Sequence, residues 1–203
     1  NIITGCFFLA PLPTVIHIVK NKSVGEKTSI PYLATFGNCM VWFVYGLPAV
    51  QPFGTPMLIT NGIGVTIMAM YLAAYFRYSG RLSHRLLIVV IVIVEVGFVV
   101  ALATLTLTTI NSRGTQKFII DVVCCVCNIL MYIAPISVLI RVVKSKSVED
   151  MSFLVAFAMV ANAFVWSIVS FLLWIQLCFS FAMCMFLGLV QLVVYAVYYP
   201  SAQ

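Results

Sequence analysis

Seven long apolar stretches divide the chain: Ile2–Val19, Pro31–Val50, Pro56–Phe76, Leu86–Thr109, Phe118–Ile140, Ser152–Leu173 and Ile175–Tyr199. A helix needs about 20 mostly apolar residues to cross a bilayer core, so each stretch predicts a transmembrane helix. The fourth has the plainest run, LLIVVIVIVEVGFVVALATLTL. Its β-branched content would suit a strand in water, but its length points to a membrane helix. The last boundary is faint, because Trp174–Cys178 barely interrupts the apolar run. The first stretch has no charged leader region and reads as a mature spanning helix rather than a signal peptide.

A second pattern lies over the first. Ala10–Val24, APLPTVIHIVKNKSV, returns as Ala134–Val148, APISVLIRVVKSKSV, at an offset of 124 residues. The same offset carries Ala34, Asn38 and Trp42 onto Ala158, Asn162 and Trp166. An ungapped match across two successive stretches reads as a duplicated unit. The two copies begin four spans apart, an even number, so they run in the same direction. The expected architecture is an all-α membrane protein of seven transmembrane helices in a 3+1+3 arrangement. Residues 1–85 form one three-helix bundle, 86–116 a linker helix with its loop, and 117–203 a second, parallel bundle. Parallel repeats are related by an axis along the membrane normal, and a solute cavity is expected at their interface.

Composition and charge agree with lipid as the solvent. Only 8% of the 203 residues are charged and 64% are hydrophobic, against about 25% charged in a soluble domain. The net charge of +6 does not form a phosphate-binding face. Nine of the 11 Lys and Arg lie in the connections after the first, third and fifth stretches: Lys20, Lys22, Lys27; Arg77, Arg81, Arg85; Arg141, Lys144, Lys146. The positive-inside rule makes these loops cytoplasmic, with an extracellular N-terminus and a cytoplasmic C-terminus. No nucleic acid, metal or cofactor is expected, and no nucleophile–base constellation supports an enzyme.

The candidate chemistry is that of a neutral, hydroxyl-rich solute. Asn38 and Trp42, and again Asn162 and Trp166, are four apart and share a helix face. An amide beside an indole suits a solute with hydroxyls and C–H faces. Interface Trp residues and cross-helix Asn bonds would give the same pattern. Asn61, beside Gly62 and Gly64, is open to the same two readings. Glu95 and Asp121 are carboxylates inside predicted spans, and such groups are functional candidates by default. A protonated Glu95 bonded to neighbouring backbone is the simpler reading than ion coupling. The cysteines sit in apolar runs and read as small core residues.

The segments LAPLPT, KNKSV, IPYLAT, NCMVWFVYGLP, ITNGIG, MYIAPIS, KSKSVEDMSF and GLVQLVVYAVYY resemble the plant SWEET sugar transporters (the MtN3/saliva family) over nearly the whole chain. VYGLPAVQP is most similar to the hexose-associated subgroup. The resemblance implies bidirectional, facilitative sugar transport by alternating access, in the plasma membrane and as a homotrimer. It implies sugar contacts at Asn61, Trp42, Trp166, Asn162 and Cys39. The family has a second Asn where register places Phe181. The resemblance also implies proline hinges at Pro11, Pro31 and Pro135, with Ser152 at the fourth position, and a gate at Tyr45 and Gly46. Past Trp166 the repeat register is open, since 124 pairs Tyr71 with Tyr195 whereas family register pairs it with Gln191. The rival readings are a small-repeat carrier of amino or organic acids and a seven-helix receptor.

Overall fold

The computed structural model describes residues 2–25, 27–52, 54–133, 136–145, 153–172 and 178–198. Among these residues all regular structure is helical: α1 (Ile2–Leu9), α2 (Leu12–Asn21), α3 (Ile30–Tyr45), α4 (Thr55–Tyr78), α5 (Leu82–Thr109), α6 (Arg113–Ile133), α7 (Ile136–Ser145), α8 (Phe153–Leu172) and α9 (Cys178–Tyr198). Six helical stretches, with α1 and α2 taken as one, are long and apolar enough to cross a membrane.

The first predicted span divides into α1 and α2 at Ala10 and Pro11. Ala10 N–H still donates to Cys6 O at 2.9 Å. Pro11 has no N–H to continue the ladder, and its ring crowds the preceding turn. α2 ends in a Schellman closure, with Lys22 left-handed (φ 51°) and Ser23 N–H donating back to Ile18 O. The second predicted span is shorter than expected. α3 has 16 residues, about 24 Å of rise. The apolar run continues to Val50 as turns, because Pro48 cannot donate and disfavours helical backbone at Leu47.

The described helices fall into two compact units. The first comprises Leu12–Cys127 and the second comprises Ile2–Pro11 with Asn128–Gln203. In the first unit α3 packs along α4 and α5, and α2 packs on α4. Ile18, Leu33, Cys39, Val41 and Met68 fill its interior. In the second unit α8 packs along α9, α1 packs on α8, and α7 on α9. Val142, Ala156, Met159, Ala163 and Cys184 are buried there. The break at Pro11 therefore sends α1 and α2 to different units.

α5 is the least buried helix, with Ile93 65%, Val94 62% and Val100 59% exposed. Such an all-round apolar surface suits lipid. Its inward contact is Glu95 against Gly37, where a β-carbon would lie 2.8 Å from the Glu95 Oε1.

Burial decides the register that sequence left open. In α4 the buried positions 61, 64, 68 and 71 recur in α9 at 181, 184, 188 and 191. That offset is 120, not 124, and it pairs Asn61 with Phe181 and Tyr71 with Gln191. Trp42 to Asn61 spans 61 − 42 = 19 positions, and Trp166 to Phe181 spans 181 − 166 = 15. The second half is four residues shorter between these positions.

Two backbones touch where α3 ends and α4 begins. A β-carbon on Gly46 would lie 2.6 Å from Leu58 N, and one on Gly54 2.6 Å from Gly46 O. Gly46→Ala is expected to lower stability by about 1–3 kcal/mol through overpacking. Gly97→Ala, where nothing lies within 4 Å, is expected to gain roughly 0.5–1 kcal/mol as a helix interior residue. Thermal unfolding of both variants in detergent checks the pair.

Candidate functional site

In the first unit α3 carries Asn38, Cys39, Trp42 and Tyr45 within two turns, all buried. The Asn38 Oδ1 has no hydrogen-bond partner among the described residues. Trp42 packs edge-on against Tyr45, with ring centroids 5.3 Å apart at 69°. Asn61 lies buried on α4 and its Nδ2 donates to Met57 O at 2.9 Å, one turn back on the same helix. One amide N–H is thus held by its own backbone, and the side-chain carbonyl and the second N–H remain to offer a ligand.

Tyr45 stands in a charged setting that its apolar neighbours do not advertise. Lys117 Nζ donates to Asp121 Oδ2 at 2.7 Å, four residues along α6. The same ammonium lies over the Tyr45 ring, 5.4 Å from its centroid. Asp121 is 4% exposed and its Oδ1 has no hydrogen-bond partner among the described residues. Beside Tyr45, Gly46 meets the backbone of α4. A second aromatic group lies elsewhere in this unit, where Tyr32 of α3 contacts Tyr71 and Tyr75 of α4 at 5.9 and 5.0 Å between centroids.

In the second unit Asn162 and Trp166 are joined by a residue that sequence reading passed over. Trp166 Nε1 donates to Thr4 Oγ1 at 3.1 Å, and Thr4 Oγ1 donates to Asn162 Oδ1 at 2.9 Å. One hydroxyl on α1 therefore fixes both members of the pair on α8. Trp166 also stacks on Phe181 of α9, with centroids 5.8 Å apart and planes 17° apart. Phe181 is 6% exposed.

The prolines separate by environment. Pro11 lies between two helices, whereas Pro31 occupies the first turn of α3, where its carbonyl accepts a bond from Thr35 Oγ1 at 2.8 Å. A proline there needs no partner for its missing N–H. Pro135 and Ser152 lie outside the described residues. Two signals were available for the overlooked groups. The i, i+4 spacing of Lys117 and Asp121 is that of a helical ion pair. Thr4 and Asn128 occupy matching polar positions at the 124 offset.

The family model described as "Sugar efflux transporter for intercellular exchange" matches residues 1–83 and 118–203, in two stretches that flank most of α5. The chain belongs to the SWEET family of sugar transporters. Among SWEET relatives, the bidirectional sugar transporter SWEET7 of Arabidopsis thaliana is 42% identical over 100% of this chain and 79% of its own. The bidirectional sugar transporter SWEET4 of Oryza sativa subsp. japonica is 36% identical over 97% of this chain and 76% of its own. A solved eukaryotic SWEET transporter superposes with a TM-score of 0.83 at 26% identity, covering 98% of this chain and 93% of that one. The SWEET fold is therefore shared, and both spans of the family pattern fall on the repeated halves.

Two expectations follow from these contacts. Thr4→Val removes a donor and an acceptor at once, and is expected to cost about 1–3 kcal/mol. Thr4→Ser retains both, so the two variants should differ in melting temperature and in Trp fluorescence. Asp121→Asn leaves Lys117 without its counter-charge. Since Lys117 keeps a third of its side chain exposed, the expected loss sits near the lower end for a broken buried pair, about 3 kcal/mol. The double change Lys117→Met with Asp121→Leu should recover most of the melting temperature.

Proposed function

We propose that the chain carries hexoses down their gradient in either direction, as a uniporter working by alternating access. Family membership supports a sugar as the substrate. The observation that carries the residue assignment is the paired Asn and Trp in each half, buried in the first unit and locked through Thr4 in the second. An amide carbonyl accepts from sugar hydroxyls, and an indole face packs against sugar C–H groups. In this reading Asn61, Trp42 and Cys39 meet the sugar from the first half, and Asn162, Trp166 and Phe181 from the second. The bulk of Trp42 favours a monosaccharide over a disaccharide. Phe181 substitutes a ring for an amide, so the sugar is held by unequal halves and binds weakly.

Pro11, Pro31, Pro135 and Ser152 are proposed as the hinge positions, with Tyr45 and Gly46 as one gate. The Tyr45 ring, held by Trp42 and Lys117, suits a closing element. The proposed setting is the plasma membrane, with the N-terminus extracellular, the basic loops cytoplasmic and the protein a homotrimer. Asn61 and Asn162 bond uncharged groups, Met57 O and Thr4 Oγ1, and this supports a neutral solute over an amino or organic acid.

Radiolabelled glucose uptake into liposomes tests the proposal. Asn61→Ala is expected to cut the rate by about 10-fold, as loss of one buried hydrogen bond to a sugar implies. Phe181→Asn is expected to lower the KM for glucose, and Phe181→Ala is not. Unchanged uptake in Asn61→Ala, at equal expression, removes Asn61 from the site.

A further inference from the structure

Away from these residues, α2 and α4 leave an open groove of about 460 Å³ on the first unit, lined among others by Leu12, Ile16, Val19, Met70, Ala74 and Lys20. Every lining residue belongs to α2 or α4. On α2 the apolar positions 12, 15, 16 and 19 follow the spacing of one helix face. On α4 the small Ala74 makes the hollow, and Met70 beside it is 58% exposed. The walls are apolar apart from Lys20 and the Tyr71 hydroxyl. That lining suits a hydrocarbon chain and gives a sugar little to bond.

One end of the groove is basic. Lys20 lines it, and Arg77 lies three residues beyond Ala74 on the same face of α4. Both are exposed, and the salt bridge among the described residues is Lys117–Asp121. The chain has 11 Lys and Arg against 5 Asp and Glu, so its overall excess is positive. A second copy of the chain brings the same positive excess and matches it less well than an anion.

We propose that this groove holds one anionic phospholipid, its acyl chain between α2 and α4 and its phosphodiester at Lys20 and Arg77. Basic pockets between membrane helices select anionic headgroups in this way. The site is independent of the sugar contacts.

Native mass spectrometry of the full chain, with phosphatidylserine or phosphatidylcholine of identical acyl chains, tests it. One phosphatidylserine per chain is expected to be retained in preference to phosphatidylcholine. Lys20→Gln with Arg77→Gln should weaken that retention by about 30-fold, from two basic groups at an anionic headgroup. Ala74→Phe, which fills the groove and keeps both charges, should also lower it, and covers the case in which the charge-removing pair does not fold. Glycerophosphoserine, the headgroup without its chains, should not compete. Equal retention of the two lipids, indifference to both variants, or competition by the soluble headgroup each overturns the proposal. So does disulfide formation between copies bearing Met70→Cys that excludes bound lipid, since a second copy would then occupy the groove.

Discussion

In a hydrocarbon medium a polar group has no water to fall back on, and this condition governs where the chain places its few polar side chains. Backbone N–H and C=O groups are satisfied by helix, which is why the described elements are helical. The side chains must find partners one by one. Thr4 serves Asn162 and Trp166 together, and Lys117 serves Asp121. Each such contact joins a helix to a neighbour or fixes a residue on its own helix. Apolar packing against lipid offers no comparable preference, since lipid tails are as apolar as the side chains they replace. The polar contacts and the close glycine approaches therefore define which helices associate.

The two halves meet this condition differently. In the first, Asn61 bonds its own helix, and Asn38 keeps a buried oxygen without a partner. In the second, Asn162 is bonded through Thr4, and the position matching Asn61 is a ring stacked on Trp166. Close packing of α8 on α9 relies on Gly188, where a β-carbon would lie 2.7 Å from Val160 Cγ2. Its register partner in α4 is Met68, itself 2% exposed. Large and small residues have exchanged places between the halves at equivalent depths. The duplicated scaffold has kept its burial pattern while its chemistry diverged.

Much of this was legible in the chain itself. Hydrophobic length gave the helices, and Gly46 with Pro48 contains the reason α3 stops early. Pro11 contains the reason the first span divides, though not that its two pieces would join different units. That outcome depends on contacts with α4 and α8, which are distant in sequence. Asn38, Trp42, Asn162 and Trp166 stood out by repetition. Thr4 did not, because a single hydroxyl in an apolar run gains meaning only from what lies across from it. The register past Trp166 was hidden because conserved letters there are sparse, whereas burial follows the helix face whatever residue occupies it.

The division at Pro11 has a consequence for how the molecule could be taken apart. The segment Ile2–Pro11 opens the chain yet completes the unit built by the last third of it. A polypeptide cut after α5 would leave the later fragment without the helix that bears Thr4, and the earlier fragment with a helix whose partner is gone. The later fragment would stay unfinished until the earlier one lent it that segment. The boundary between the compact units therefore does not follow the boundary of the duplication.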